Sequence, residues 1–189
     1  KQLSMGDTLD ENGRTMVMIS GPNGTQTPLA ERVITGGELG GLLAVRRDGM
    51  EPAQRSLGLI AATVATAFNE QHRLGIDLGG VLGGDFFSIG GARVEPADSE
   101  VTVKVNPAKL AELTGADYEL RRDGDAYTLF DNATGDGFEL KDVSDGKVTF
   151  AGLDFDGLDK MNDGDKVFVY PTRYAAGTIG MEINDPRRV

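Results

Sequence analysis

Between Gly36 and Phe87 the residues Leu39, Leu43, Met50, Ala53, Leu57, Ile60, Val64 and Ala67 recur in steps of three, four and seven. That period draws one apolar stripe along a helix and leaves Arg46, Arg47, Glu51, Arg55 and Arg73 mostly off it. A stripe so long and narrow is the seam of a rod that packs on other helices, not the all-round apolar surface of a buried helix. Leu39, Leu43, Met50, Leu57, Ile60, Val64 and Phe68 are the packing candidates of this seam. No second segment of comparable length follows, so the seam is expected to meet helices from outside this sequence. The helix itself is predicted from about Glu38 to His72, with Gly75 just past its end. Gly49 and Pro52 interrupt it, and proline removes a backbone donor and crowds the preceding turn. A kink or short break is therefore expected near Asp48–Pro52.

The flanking sequence reads as β-structure. Thr15 to Ile19 is a strand candidate between turns at Glu11-Asn12-Gly13 and Gly21-Pro22-Asn23-Gly24, with a second short strand near Thr27 to Leu29. From Glu100 the period becomes two: Val101, Val103 and Val105 alternate with polar residues. Asn106 then caps a short helix, with Pro107 at its first position and Gly115 as its stop. Tyr118 and Leu120 turn through Asp123-Gly124 into Tyr127 and Leu129. Phe138 and Leu140 are expected to pair with Val148 and Phe150 across Asp145-Gly146, and Val167 to Tyr170 form a last strand after Asp163-Gly164. The fold class is α+β. A discontinuous rod domain, 1–90 and 178–189, would carry the β element and the long kinked helix. An antiparallel all-β sandwich or barrel, 91–177, would be inserted into it.

Charge narrows the partners. Nineteen basic against 30 acidic residues give a formal net charge of −11, which repels nucleic acid and anionic lipid. No apolar run approaches the roughly 20 residues of a membrane span, so membrane insertion is not expected. There is no cysteine, so neither disulfides nor thiolate chemistry contribute. His72 is the sole histidine; it rules out a multi-histidine metal site within this chain and reads as a surface or interface residue near a helix C-terminus. The aspartates invite a calcium loop, but counted from Asp159 the third ligand position is Met161 and the twelfth is Tyr170. Counted from Asp154, Leu158 fills the fifth. Neither register works; an adventitious cation site in these loops stays open. The glycine clusters Gly36–Gly41 and Gly79–Gly84 lack phosphate-loop spacing. Asn23-Gly24-Thr25 and Asn132-Ala133-Thr134 match the glycosylation pattern, a short and frequent match. No catalytic constellation emerges. A secreted carbohydrate-binding or adhesin-type β module is the alternative reading, weakened by the absence of tryptophan platforms.

Both ends are expected to be cut within a longer protein. The chain starts at Lys1, and Ile183-Asn184-Asp185-Pro186 reads as the entry to a further helix. The run Gly36-Gly37-Glu38-Leu39-Gly40-Gly41-Leu42-Leu43-Ala44-Val45-Arg46-Arg47-Asp48, followed by Ala65-Thr66-Ala67-Phe68-Asn69-Glu70-Gln71-His72, resembles the central helix of the FlgK family of bacterial flagellar hook-associated proteins. Gly75-Ile76-Asp77-Leu78 and Gly83-Gly84-Asp85-Phe86-Phe87 are similar to that family's turn and exit. The stretch from Gly164 to Gly177 is similar to its return from the β-domain. The resemblance implies the central part of a secreted structural subunit, without enzyme activity or cofactor, exported unfolded and assembled as a ring at the hook–filament junction. Its implied partners are copies of itself, the hook protein and the second junction protein. An export chaperone would engage a C-terminal segment absent here.

Overall fold

The computed structural model describes residues 2–9, 15–21, 23–29 and 33–188. The chain forms two compact units, Lys1–Ala53 and Gln54–Val189.

The first unit opens with strands β1 (Gln2–Leu9), β2 (Thr15–Ser20) and β3 (Gln26–Leu29), antiparallel in that order. The two strands read from the sequence are the second and third; β1 is an addition. The expected turn at Glu11-Asn12-Gly13 lies outside the described residues. In the second turn the Gly21 amide donates to the Thr25 carbonyl at 2.9 Å. Leu3 pairs with Ile19 and Met5 with Val17, which pairs in turn with Leu29. Helix α1 (Gly37–Val45) follows an extended Gly36. The expected break becomes a π-helical turn over Arg46–Met50, in which the Glu51 amide donates back to the Arg46 carbonyl. One added residue in that turn makes room where the Pro52 ring would otherwise crowd the preceding carbonyl, so the helix widens and continues. Arg46 reaches Glu51 at 3.5 Å across it. Helix α2 (Glu51–Arg73) carries on from there. The helical stretch 37–73 thus lies within a residue or so of the bounds set by the periodicity.

In the second unit, α2 is followed by a loop, then by β4 (Phe87–Ser88), and by two antiparallel sheets. The larger sheet runs β5 (Arg93–Glu95), β12 (Lys166–Tyr170), β7 (Tyr118–Asp123), β8 (Ala126–Asp131), β9 (Gly137–Glu139). The smaller runs β10 (Val148–Phe150), β11 (Leu153–Asp156), β6 (Thr102–Val105). Alternation aims Tyr118 and Leu120, Tyr127 and Leu129, Val167 and Val169 inward from one sheet, and Val103, Leu153 and Phe155 from the other, into a single core. Leu120 faces Leu129 in the register, and both are fully buried. After β12 the chain passes through a short helix α3 (Ala175–Thr178) to β13 (Gly180–Met181), which pairs with β4.

Three expectations change here. Phe138 and Val148–Phe150 are not ladder partners: β9 pairs with β8 and β10 with β11, although the Phe138 and Phe150 rings meet at 5.5 Å. The tight turn that joins β10 to β11 is Ala151-Gly152, at φ +50° and +75°. Gly152 has no substitute there, because a Cβ would lie 2.8 Å from the Lys109 carbonyl. The segment Leu153–Asp156 is strand, so the Asp154 carboxylate accepts from Asn106 Nδ2 at 2.8 Å and Thr149 Oγ1 at 2.6 Å. The short helix capped by Asn106 is 3-10 (Pro107–Glu112), with Asn106 Oδ1 accepting from the Ala108 amide as expected.

Leu129→Ala should lower the unfolding free energy by about 2–5 kcal/mol, because the core cannot refill the space. Urea denaturation followed by far-UV circular dichroism measures it; an unchanged midpoint would reject a shared core.

Candidate functional site

Helix α2 presents two different faces. Gly58, Ala62, Ala65 and Asn69, spaced four, three and four apart, are buried. Gly58 lets the helix backbone lie against the Thr172 carbonyl, in space that any Cβ would fill. Beside it, Leu59 packs on the β-core and touches the Gly115 turn. About a third of a turn round the axis lie Leu57, Ile60, Val64 and Phe68, which remain 59%, 60%, 52% and 45% exposed. Of the seven seam candidates Leu43 is buried, while Leu39, Met50, Leu57, Ile60, Val64 and Phe68 are exposed. The sequence reading named the exposed residues Leu57, Ile60, Val64 and Phe68 of α2 and missed its small-residue face. Its four-three-four spacing was the available signal.

The helix end is clipped to the chain's exit. Asn69 Oδ1 accepts from the amides of Phe86 and Phe87, both at 2.9 Å, and its Nδ2 donates to the Phe87 carbonyl at 2.8 Å. One buried carboxamide thereby completes the backbone of the strand entry. His72 Nδ1 donates to the Gly84 carbonyl at 2.7 Å, which fixes the proton on that nitrogen in the neutral ring. Arg73 bridges Glu70 and Asp85, each at 2.5 Å. The Phe68, Phe86 and Phe87 rings cluster with centroids 4.9 to 5.3 Å apart, Phe87 meeting the other two edge-to-face and Phe68 tilted against Phe86, and His72 joins Phe86 at 5.7 Å. The motifs Phe68–His72 and Gly83–Phe87, separate in sequence, are one packed device.

The intervening loop is organised by Asp77, whose Oδ1 accepts from the Gly79 and Val81 amides at 2.8 Å each. Leu74, Ile76, Leu78, Val81 and Leu82 stand exposed on it. The Leu78 amide donates to the Arg187 carbonyl at 3.0 Å. A 3-10 turn, Pro186–Arg188, stands at the expected helix entry, with Asp185 Oδ1 accepting from the Arg187 amide as a cap. Among the described residues no three His, Asp or Glu side chains converge as metal ligands, and no helix is long and apolar enough to cross a membrane. This arrangement offers surfaces for packing.

Helix α2 thus has one face on a β-core and another exposed. Comparison with known proteins gives the chain a family. Residues 1–87 match the model of the flagellar hook-associated protein FlgK helical domain. Flagellar hook-associated protein 1 of Escherichia coli K12 is 29% identical over 159 residues, covering 82% of this chain and 29% of that relative. Its namesake in Salmonella typhimurium is 30% identical over 157 residues, covering 81% and 28%. The solved flagellar hook junction protein FlgK of Burkholderia pseudomallei superposes with a TM-score of 0.82 at 30% identity, over 100% of this chain and 36% of that one. The chain belongs to the FlgK family of flagellar hook-associated proteins, and it spans less than a third of the curated relatives' length.

Asn69→Ala should leave two part-buried amides without their acceptor and speed hydrogen exchange at Phe86 and Phe87 at least about tenfold. Amide exchange by NMR checks this; protection equal to the wild type would mean that the clip does not hold the exit.

Proposed function

We propose that this chain is the central body of a structural, non-enzymatic subunit of the bacterial flagellum, secreted and built into the junction between hook and filament. The observation that carries the reading is the bare apolar face of α2. Leu57, Ile60, Val64 and Phe68 line one side of a helix whose neighbouring face is already packed. Such a face is suited to helical segments lying beyond this chain's span of its relatives; Leu39 and Met50 of the first unit are likewise exposed, while Leu43 is buried. Copies of the subunit would assemble in a ring, with the hook protein on one side and the second junction protein on the other. Many moderate contacts repeated around a closed ring give a joint that tolerates curvature better than one strong site. Export would proceed unfolded, with a chaperone held by a C-terminal segment outside this chain.

We further propose that 91–177 is an all-β domain inserted into a rod formed by 1–90 and 178–189. The pairing of β4 with β13, Phe87 opposite Met181, supports this by bringing the two flanks of the insertion together.

Ile60→Asp tests the seam. Ile60 is exposed, so the variant of this chain should unfold within about 0.5 kcal/mol of the wild type. The same change in the full-length protein should abolish its addition to isolated hooks, scored by electron microscopy and light scattering. Normal addition would reject the seam. Specific retention of this chain on a glycan array would favour a carbohydrate-binding module instead.

A further inference from the structure

The loop between α2 and β4 carries an apolar surface separate from the stripe on the helix. Leu74, Ile76, Leu78, Val81 and Leu82 are 63% to 81% exposed, each more than any of the exposed residues Leu57, Ile60, Val64 and Phe68 of α2. The loop is nonetheless fully built. The Asp77 amide donates to the Val81 carbonyl at 2.9 Å and the Gly83 amide to the Gly75 carbonyl at 3.0 Å. Ile76 and Leu82 are therefore directly opposed in a narrow antiparallel bridge, with their side chains on one face. The Gly80 amide closes the tip on the Asp77 carbonyl at 3.0 Å, and the Leu78 amide ties the loop to Arg187. These five residues expose on the order of 600 Å², the upper end of the roughly 300–600 Å² of the largest patch on a typical monomer. A loop already held in shape loses little freedom when it is covered.

The same compact unit carries a hollow that could take such a loop. A groove of about 470 Å³ lies between the later turns of α2 and the β-region, lined among others by Ala62, Gly91, Pro107 and Ala175. None of the five loop residues lines the groove of its own chain. Its size falls within the roughly 300–1,000 Å³ of cavities that accept a ligand-sized group. Glu70, Asp85 and Glu182 stand on its lining against Arg73 and Lys104, so the acids outnumber the bases by one. At the loop's edge Arg187 and Arg188 are exposed, while Asp77 and Asp185 there each accept backbone amides. An apolar loop edged by guanidinium groups thus matches an apolar-floored groove with an acidic lining.

We infer that the loop Leu74–Leu82 of one copy docks in the groove beside α2 of the next copy, as a head-to-tail contact between copies of this chain. The inference rests on the reading that copies assemble in a ring, and it names the two surfaces that would meet. Because knob and groove are different surfaces, the contact repeats from copy to copy and closes where the rotation allows. Charge favours this route. Two chains of net charge −11 repel over most of their surfaces, but residues 74–84 hold a single ionisable group, Asp77. The loop can therefore enter a neighbour without burying an unpaired charge at its apolar positions.

The absence of native cysteine makes the test direct. One preparation of this chain carries Leu78→Cys on the loop; the other carries Gly91→Cys in the groove, where a Cβ meets open space. A short bis-maleimide added to the mixture at high concentration traps even a weak contact. A cross-linked dimer of one chain of each kind is expected, and Leu82→Asp in the loop partner should abolish it. Replacing Gly91→Cys by Lys141→Cys, an exposed position away from the groove, should give none. No dimer in the first mixture overturns the contact. Equal dimer from Leu78→Cys alone would place loop against loop and also overturn it, as would equal dimer with Lys141→Cys. Addition of full-length protein to isolated hooks scores the ring reading by itself, so normal addition without this cross-link removes the contact alone.

Discussion

The second unit depends on the close approach of α2 to the chain at Thr172. A helix normally keeps its neighbours 8–10 Å from its axis through its side chains. Gly58 removes that spacer at one point, and Ala62 and Ala65 keep it thin along the same face. Leu59 can then enter the β-core as though it came from a strand. The two sheets close around residues from β6, β7, β8, β11 and β12, and the helix forms part of their wall. A bulkier residue at 58 would force the backbone of Thr172 away.

Asn69 continues that face to its end and changes its purpose. Where Gly58 and Ala62 permit contact, the Asn69 carboxamide makes it, offering donor and acceptor to strand-entry backbone that would otherwise lack partners. Gly83 follows from this, whereas a Cβ at Gly84 would meet open space. The chain must pass against the His72 carbonyl to bring Phe86 and Phe87 under the carboxamide, and a Cβ at Gly83 would occupy the same space. Gly83, the histidine, the asparagine and the two phenylalanines therefore form one solution to reversing the chain beneath a helix end.

Much of this was legible in the sequence, and the misses have physical causes. The helix was read within a residue or so at each end because a three-to-four period sustained over eight positions has no other reading. The small face escaped because Gly58, Ala62 and Ala65 carry little hydrophobicity, although their spacing is as regular as that of the leucines. Leu153–Asp156 does alternate, but Asp154 and Asp156 look like loop residues until Asn106 and Thr149 are seen to satisfy one of them. The partner of Phe138 was beyond reach for a different reason. Sequence neighbours suggest hairpins, and here β9 closes on β8 while β10 opens a new sheet. Pro52 marked the irregular turn correctly, yet composition does not distinguish a break from a widened turn.

The bare face of α2 sets the scale of what can bind there. Full burial of a Leu, Ile, Val or Phe side chain is worth about 1.5–3 kcal/mol. Leu57, Ile60, Val64 and Phe68 are already roughly half covered, so a partner that completes their burial gains roughly 3–6 kcal/mol. That gain approaches the net stability of an ordinary domain, roughly 5–15 kcal/mol, so a covering helix would contribute to the subunit's fold as well as bind to it. It is nonetheless modest beside the cost of immobilising a free partner, about 4–15 kcal/mol. A tethered segment, or one of many contacts in a closed ring, escapes most of that cost. A stripe of this size would be too weak to capture a free partner and strong enough to hold one that is tethered or repeated.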